Sequence, residues 1–264
     1  MAPPTLILPG EKHSQVTNAL LLEPLTPSSF SPFGTAITPP FSSSLNNVPT
    51  SIPRPLHSPH QPTAAFANQN SALRTSPISQ FTNKYPSRPG YAVSTPQMSM
   101  FSCFPRNISG VGIDSPIPGK VAFKVSILER HPYTTQTFTP LGLSPSAEDQ
   151  STVFLVIVAP PLASPATART ASGIRTFQIA NPPDLSRIKA FVARGDQAVT
   201  YGPGTWHAPM AVFGQRRVDF VVSQFANGVP DDDCQEVLLG DNAVTVDLDT
   251  LNLDLGPHGS RPKL

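Results

Sequence analysis

The sequence predicts a mainly β protein, built as a barrel or a two-layered β-sandwich with a few short helices. Three observations predict this class. From residue 120 onward, apolar side chains alternate with polar ones, as in strands that bury one face. The segment "TVFLVIVA" (152–159) is continuously apolar and β-branched, as in a strand that is buried on both faces. Gly195, Gly202, Gly204 and Gly214 separate short runs of this kind, which is typical of strands joined by tight turns.

Length and charge narrow the class of protein. The 264 residues suffice for one large domain or two small ones. Charged residues make up only 13% and the net charge is +1, so nucleic acid and anionic membranes are not expected partners. No apolar run approaches the roughly 20 residues of a spanning helix, and the N-terminus lacks the basic start of a secretory signal. Cys103 and Cys234 form no disulfide framework and no metal spacing, so we expect two reduced thiols in an intracellular protein.

The first 120 residues differ in composition from the rest. They hold 20 of the 33 prolines but only three of the 17 acidic residues. The segment "PSSFSPFG" (27–34) has Ser/Thr caps and ends in glycine, which predicts a short helix. Residues 39–65 are rich in Pro, Ser and Asn and can bury too little apolar surface to offset their ordering entropy. We therefore expect a disordered insertion there.

Strands are the main predicted elements from residue 120 onward. In "KVAFKVSIL" (120–128) the apolar residues alternate and share one face. Further strands are predicted at 152–159, 188–193, 197–202, 207–214 and 217–225. Two short helices interrupt this pattern. One is predicted at "PPDLSRIKA" (182–190), with prolines before it and Asp184 in its first turn, and one at "DDDCQEVLL" (231–239), with acids at its positive end.

Two polar residues stand where a strand should bury its side chains, in "ILERHPYTTQTFTPLG" (127–142). Glu129 and His131 are two residues apart and therefore share a face. A carboxylate is not buried in a core without a partner, so an inward Glu129 implies a polar cavity, a metal ion or a paired base. The alternative is that Glu129 pairs with Arg130 or Lys124 at a surface, while His131 is a satisfied core residue. Of the six histidines, only His131 and His207 lie in the strand-patterned region.

This arrangement resembles the cupin double motif, which places His-x-His-x(3,4)-Glu, a glycine about six residues on, and later Gly-x-x-His. The matching positions are Glu129, His131, Gln136, Gly142 and the Gly204–His207 turn. Glutamate replaces the first histidine, and a neutral amide, which is a poorer ligand, replaces the usual glutamate. The resemblance implies a cupin-like β-barrel or double-stranded β-sandwich. It also implies one divalent transition-metal ion on Glu129, His131 and His207, with an open position, and no organic cofactor.

Several long blocks resemble the ureidoglycolate lyase family of allantoin degradation, a branch of purine catabolism. They are "FSPFGTAI" (30–37), "NQNSALR" (68–74), "FSCFPR" (101–106), "LERHPYTTQTFTPLG" (128–142), "VFLVIVAP" (153–160), "PDLSRIKAFVARGDQAVTYGPGTWHAPM" (183–210) and "VDFVVSQFANGVPDDDCQE" (218–236). The resemblance implies a lyase that cleaves the C–N bond of ureidoglycolate to glyoxylate and urea, as a homodimer. An older description of the family, as an amidohydrolase, would give ammonia instead of urea.

The blocks also divide the chain. Residues 1–38 are expected to begin the catalytic domain, 39–65 to form the insertion, 66–240 to form the cupin-like catalytic domain, and 241–264 to form a tail.

The implied chemistry assigns roles to particular side chains. His207, His131 and Glu129 are the candidate catalytic residues, because a base must take the substrate hydroxyl proton and histidine titrates near neutrality. If they hold a metal ion, that ion could lower the pKa of the hydroxyl. An arginine fork suits the substrate carboxylate, and Arg74 and Arg106 are the candidates.

The remaining candidates for the site are weighed against simple packing roles. Arg130 should face away from Glu129 and His131, since neighbours on a strand point to opposite faces. Gln136 could coordinate a metal ion or donate a hydrogen bond. Tyr201 and Trp206 could wall the pocket, and Asp219 could support a ligand from behind. Each could also be purely structural.

Two other functional classes stay open on ligands alone. One is a non-catalytic cupin that binds a small molecule, and the other is a metal-dependent cupin isomerase or dioxygenase, for which two histidines and a carboxylate are a known ligand set. The family blocks favour the lyase. The expected compartment is the cytoplasm. The peroxisome is the alternative, because Pro262-Lys263-Leu264 resembles the Ser-Lys-Leu address.

Overall fold

Two β-sheets face each other across an aromatic-rich core in the computed structural model, which describes residues 3–7, 19–106, 121–149, 151–240 and 243–251. The strands are β1 (Thr5–Ile7), β2 (Leu22–Pro24), β3 (Gly34–Ile37), β4 (Ala64–Ala67), β5 (Ala72–Thr75), β6 (Thr95–Cys103), β7 (Ala122–Val125), β8 (Ile127–Arg130), β9 (Gln136–Leu141), β10 (Thr152–Ala159), β11 (Ala166–Arg169), β12 (Thr176–Ile179), β13 (Lys189–Ala193), β14 (Ala198–Tyr201), β15 (Trp206–His207), β16 (Ala211–Gly214), β17 (Val218–Ala226), β18 (Gln235–Leu238) and β19 (Val244–Asp247). The helices are α1 (Pro27–Phe30) and α2 (Pro230–Asp233), and 3-10 turns span Leu185–Arg187 and Asp249–Leu251.

The larger sheet has the order β12-β11-β1-β18-β8-β15-β10-β13-β2, with β16 also paired to β10. The smaller sheet has the order β3-β14-β9-β17-β6, and β7–β19 and β4–β5 form separate two-stranded sheets. Strand pairs are antiparallel except β1–β18 and β13–β2. This architecture confirms the predicted mainly β fold with short helices, and it fits a cupin-like β-sandwich.

Strand β10 separates two hydrophobic cores. Its odd-numbered residues, such as Leu155 and Ile157, enter the outer core, which also contains Leu128, Trp206, Val237 and Val246. Its even-numbered residues, such as Phe154 and Val158, enter the inner core between the two sheets, with Phe138, Tyr201 and Phe220. All eight residues of β10 are buried, which confirms the predicted burial on both faces. Each such side chain stabilises the fold by about 1.5–3 kcal/mol, and β10 therefore anchors both layers.

Three local predictions need correction. The strand predicted over 207–214 is two strands, β15 and β16, separated by residues 208–210. The segment 120–128 contributes to two strands, β7 and β8, because the strand is interrupted at the exposed Ser126. The predicted helix over 231–239 is helical only in its first turn, α2, and continues as β18. The reason is tertiary: β18 pairs with β8, and this pairing buries Val237 completely in the outer core.

The other short helices lie where the sequence predicts them. Thr26 caps α1, since its side chain accepts a hydrogen bond from the backbone N–H of Ser29. The helix predicted at 182–190 is a single 3-10 turn. Asp184 caps this turn by accepting from the N–H of Ser186, and β13 begins directly after it.

The expected insertion is largely irregular, whereas part of the expected tail is packed in the outer core. The expected insertion, 39–65, contains no helix or strand up to residue 63 and is mostly exposed there. Its last two residues, Ala64 and Ala65, instead begin β4. Gln61 closes the insertion at its base, because its Nε2 donates to the carbonyl oxygen of Thr38 at 3.1 Å. In the predicted tail, β19 pairs with β7, and Leu248 and Leu251 are buried in the outer core. The packed part of the chain thus extends to Leu251, while residues 252–264, with the Pro-Lys-Leu tripeptide, lie outside the described residues.

Candidate active site

Three side chains of complementary chemistry meet between the two sheets. Glu129 lies on β8 and His207 on β15, and the antiparallel register pairs these two residues directly. His131 follows β8, two residues after Glu129, and so points to the same side. One ligand atom from each residue lies within 4.8 Å of the other two. Strand register therefore brings together the three residues singled out in the sequence.

Glu129 has a histidine partner. Its Oε1 lies 3.4 Å from Nε2 of His207, and its side chain is 18% exposed. Burial tends to raise the pKa of Glu129, but His207 and then His131 outweigh that effect and hold the pKa below its usual value. The carboxylate is therefore ionised at neutral pH. Its neighbours are these histidines, not the surface partners Arg130 and Lys124 that the sequence left open.

Both histidines present a lone pair to the same place. Nδ1 of His131 lies 2.6 Å from the carbonyl oxygen of Asp233, and Nδ1 of His207 lies 3.1 Å from that of Thr205. A carbonyl oxygen can only accept, so Nδ1 carries a proton in each ring, and Nε2 is the ring atom that faces the site. Both Nε2 atoms are buried and make no hydrogen bond, although Nε2 of His207 lies 3.4 Å from Oε1 of Glu129. Burial, together with the charge of the nearby His207, lowers the pKa of His131 to about 4, so its ring is neutral at pH 7.

Gln136 adds a fourth acceptor from the facing sheet. It lies at the start of β9, is 3% exposed, and is close enough to affect the pKa of His131. Its Nε2 donates to Oε1 of Gln224 at 2.7 Å, whereas its own Oε1 is buried without a partner. Unpaired buried acceptors cost free energy, so their convergence indicates a place for a cation or for a ligand with donor groups.

Tyr201 forms one wall. Its ring stacks on that of His207, with centroids 3.9 Å apart and planes at 10°. The register of β14 and β9 places Tyr201 opposite Gln136. Burial, and then the charge of Glu129, raises the pKa of Tyr201, so its phenol keeps its proton. The stack fixes the plane of the His207 ring.

The structure does not bring Trp206 to this site. Trp206 precedes His207 on β15, so its side chain points to the opposite face and is buried in the outer core. Its Nε1 donates to the carbonyl oxygen of Asn181 at 2.9 Å. Arg130 lies over its ring at 4.6 Å and donates to Oε1 of Gln235, which places this arginine away from Glu129, as strand alternation predicts. Both residues support the strands that carry the site.

The two arginines proposed for the substrate carboxylate are exposed and make no contact with the three clustered residues among the hydrogen bonds and ion pairs of the described residues. Arg74 is exposed on β5, in the separate two-stranded sheet. Arg106 is exposed after β6, and its Nη2 is 3.5 Å from the carbonyl oxygen of Met210. Asp219 pairs with Arg217 at 3.0 Å on the surface. None of these contacts reaches Glu129, His131 or His207.

Sequence reasoning missed the supports behind the site. Gln224 holds Gln136, and strand alternation in "VDFVVSQF" could have found it, because Phe220, Val222 and Gln224 share a face. Sγ of Cys234 lies 4.0 Å from Oε2 of Glu129, and burial, followed by the charge of Glu129, raises the pKa of this thiol to about 12. The contact between the Asp233 carbonyl and His131 could not be predicted from the sequence, because every residue has a backbone carbonyl.

The donor set fits a divalent transition-metal ion. One carboxylate and two imidazoles suit zinc and similar ions, and the orphaned Nε2 atoms are what such an ion would satisfy. The hydrogen bonds from Nδ1 to the carbonyls of Asp233 and Thr205 are the outer contacts that usually orient histidine ligands. The cysteines Cys103 and Cys234 are both free thiols, and no helix of the described residues is long and apolar enough to cross a membrane.

Comparison with known proteins gives a consistent result. The family model described as ureidoglycolate lyase matches residues 17–247. A ureidoglycolate lyase of Saccharomyces cerevisiae is 33% identical over 232 residues, which is 86% of this chain and 97% of that protein. Two further ureidoglycolate lyases match over shorter stretches. The one from Schizosaccharomyces pombe is 40% identical over 43% of this chain and 49% of its own length. The one from Burkholderia mallei is 34% identical over 40% of this chain and 45% of its own length.

Proposed function

The chain belongs to the ureidoglycolate lyase family, and from that premise we propose that it cleaves ureidoglycolate to glyoxylate and urea in allantoin breakdown. The observation that carries the proposal is the cluster of Glu129, His131 and His207, whose ligand atoms lie within 4.8 Å of one another, together with the buried, unpaired Oε1 of Gln136. Family membership disfavours the alternatives of a binding-only cupin and of a cupin isomerase or dioxygenase.

The reaction requires one proton transfer, from the substrate hydroxyl to the departing nitrogen, and the cleavage of one C–N bond. Ureidoglycolate carries a hydroxyl, a carboxylate and a ureido nitrogen on one carbon. The hydroxyl loses its proton, the C–O bond becomes the C=O of glyoxylate, and the C–N bond breaks. The departing nitrogen takes a proton and leaves as urea. No water is consumed, and no covalent nucleophile is required.

The described residues can move that proton. The acceptor atoms of Glu129 and His207 lie 3.4 Å apart, so either can take the hydroxyl proton and return it to the departing nitrogen. Glu129 is ionised at neutral pH because its pKa is held low. His207 turns Nε2 towards the site because its Nδ1 is bonded to a carbonyl oxygen. The Tyr201 ring keeps His207 in this plane.

As the alternative to this direct proton transfer, we propose that Glu129, His131 and His207 hold one divalent transition-metal ion, in which case their lone pairs serve the ion and not the substrate proton. When bound, such an ion would favour the ionised form of the substrate hydroxyl and bind the carboxylate beside it. Exhaustive chelation should remove both the metal, measured by mass spectrometry, and the activity, and add-back should restore both. Full activity in metal-free protein would show that the three residues act without an ion.

The assignments of Arg74 and Arg106 to the substrate carboxylate rest on the family resemblance. Arg74→Met and Arg106→Met each test one of them, since loss of a bidentate contact should raise KM on the order of tenfold. An unchanged KM in a folded variant would remove that arginine from the site. Trp206 gains no support as a substrate contact, because it is 1% exposed and lies on the far face of β15.

A homodimer is proposed on the resemblance and on one surface feature. All residues of β6 from Thr95 to Ser102 are exposed, and Met98 and Met100 are 78% and 55% exposed on this edge region. A long exposed strand with apolar side chains is a favourable surface for a second copy. Light scattering should report a dimer for the wild type and a monomer for the Met98→Glu, Met100→Glu double variant. The proposed compartment is the cytoplasm, with the peroxisome as the alternative, and an N-terminal fluorescent fusion would distinguish them.

The direct test of the proposed function is turnover by purified protein. Ureidoglycolate should yield glyoxylate with the wild type and much less with Glu129→Gln, which keeps the shape of the side chain but not its charge. Equal turnover by both proteins would separate the activity from this cluster.

A further inference from the structure

Gln224 engages the donor end of the Gln136 amide. The two residues lie directly opposite each other in the antiparallel pair β17–β9. Gln224 shares its strand face with Phe220 and Val222, both buried in the inner core, so its side chain points between the sheets. There its Oε1 accepts from Nε2 of Gln136 at 2.7 Å.

This contact has a chemical consequence for the site. A glutamine amide has a donor end and an acceptor end of nearly equal shape. Because the donor end of Gln136 is engaged by Gln224, the acceptor end, Oε1, is the one left buried and unpartnered beside His131. An unpaired acceptor in a buried place is costly unless a ligand donor meets it.

The ligand proposed above has donors of the required kind. The ureido group of ureidoglycolate carries N–H donors, whereas its carboxylate carries only acceptors. A neutral oxygen accepts these N–H groups without placing a second negative charge beside Glu129 and the substrate carboxylate. A glutamate at position 136 would add that charge.

We propose that Gln224 is a positioning residue, which fixes Gln136 as an acceptor for the ureido N–H groups and so selects ureido acids over hydroxy acids that lack the ureido group. The inference rests on the proposed function and deepens it. It assigns no direct substrate contact to Gln224.

The test compares three substitutions. Gln224→Met keeps the length of the side chain but removes the acceptor for Gln136. Gln224→Glu keeps an acceptor and offers no donor, so it should hold Gln136 in the same orientation. Gln97→Met is the matched control, because Gln97 is paired to Gln224 across β6 but is exposed.

Calorimetry on two ligands supplies a readout that a merely structural role would not change. Oxalurate has a ureido group and a carboxylate but lacks the scissile hydroxyl-bearing carbon, and glycolate has the hydroxy acid without the ureido group. Gln224→Met should weaken oxalurate binding on the order of tenfold, the effect of one buried hydrogen bond, and leave glycolate binding unchanged. Gln224→Glu adds a negative charge that should weaken both anionic ligands alike, so the ratio of the oxalurate affinity to the glycolate affinity should stay within about twofold of wild type. Gln97→Met should keep both affinities within about twofold of wild type.

Each outcome decides the inference. Equal oxalurate affinity in wild type and folded Gln224→Met would overturn it, and so would parallel losses for oxalurate and glycolate, which would indicate general disruption. If Gln224→Met does not fold, Gln224→Glu decides, because a fall in oxalurate affinity relative to glycolate affinity there would also overturn it. Turnover by the wild type is measured separately. A wild type that cleaves ureidoglycolate while Gln224→Met binds oxalurate normally refutes only the role of Gln224.

Discussion

At the scale of residues, the site depends on histidines that are each committed to one tautomer. The backbone carbonyls of Asp233 and Thr205 occupy Nδ1 of His131 and His207, so both rings offer Nε2 to the site. The carbonyl of Asp233 is itself fixed, because Tyr85 Oη donates to the Asp233 carboxylate at 2.7 Å. Tyr85, which is 46 residues before His131 in sequence, thus supports the His131 ring through Asp233.

Removal of one ring should cost most of the activity. His207→Ala is expected to lower kcat/KM on the order of 10² or more, because it removes a base or a metal-holding group. Steady-state kinetics measures this, and circular dichroism should show an intact β fold. His60→Ala is the control, since His60 is exposed in the irregular insertion, and it should behave as wild type. Near-normal turnover by folded His207→Ala would remove His207 from the mechanism.

His131 should make the metal-free protein acid-sensitive. Its pKa falls from 6.5 to about 4 on folding, chiefly because it is buried, so the unfolded chain binds the proton more tightly. This residue's contribution to stability is therefore present above about pH 6.5 and is lost as the pH falls towards 4. The lowered pKa of Glu129 acts in the same direction at lower pH.

Denaturant unfolding of chelator-treated protein at pH 7, 5.5 and 4.5 measures this dependence. The wild type should lose stability more steeply between pH 6.5 and 4 than His131→Gln, which cannot titrate. Identical slopes for the two proteins would contradict the burial of a neutral ring.

The residues that bear the chemistry were accessible from the sequence because strands alternate. Period-two spacing predicts that Glu129 and His131 share a face, and the same rule would have placed Trp206 opposite His207. The pairing of Gln136 with Gln224 depends on the register between β9 and β17, which are 88 residues apart in sequence at this contact. Local patterns do not determine such a register.

At the scale of elements, the close approach of β3 to β14 positions the strand that carries Tyr201. Gly34 begins β3 at φ +149°, and a Cβ there would lie 2.0 Å from the carbonyl oxygen of Thr200. The backbone of Gly202 is hydrogen-bonded to the carbonyl of Phe33 at 2.9 Å. The two chains are therefore in contact where the Gly202–Gly204 turn leads to His207.

Gly34→Ala should be strongly destabilising. The methyl group meets backbone, which cannot rotate away, and we expect a loss of about 3 kcal/mol or more, from overpacking together with an unfavourable φ. Gly90→Ala is the matched control, since Gly90 also has positive φ, at +86°, but nothing lies within 4 Å of its Cβ position. It should lose about 1 kcal/mol. Equal losses in chemical denaturation would show that β3 and β14 can separate at little cost.

Element types were predictable where burial and propensity agree, as in β10. They were not predictable where tertiary pairing overrides local signals. The acidic start of 231–239 favours a helix, but Val237 is needed in the outer core, and pairing with β8 makes this stretch a strand. Strand β6 has a mixed, Pro-containing sequence without regular alternation, and it is defined by its nine-residue pairing with β17.

At the scale of the whole molecule, strands of the two larger sheets surround the site, and residues 38–63 contribute none of these strands. Residues 38–63 contain no strand, and Gln61 bonded to Thr38 shows that the ends of the insertion are close together. Replacing residues 41–59 with a short Gly/Ser linker should therefore leave Tm within a few degrees and keep activity, because loop length costs little free energy. Thermal unfolding and turnover measure this. A loss of either would show that the insertion stabilises the sandwich or the site.

The central claim is that this cluster splits the C–N bond of ureidoglycolate without hydrolysis, and product stoichiometry tests it most directly. Purified protein is incubated with ureidoglycolate in urease-free buffer, and glyoxylate, urea and ammonia are measured over the same time course. We predict one urea per glyoxylate with no ammonia above the spontaneous rate, and loss of both products with His207→Ala. Ammonia in place of urea would contradict a lyase and indicate an amidohydrolase, and glyoxylate formation unchanged in folded His207→Ala would contradict the assignment of the site.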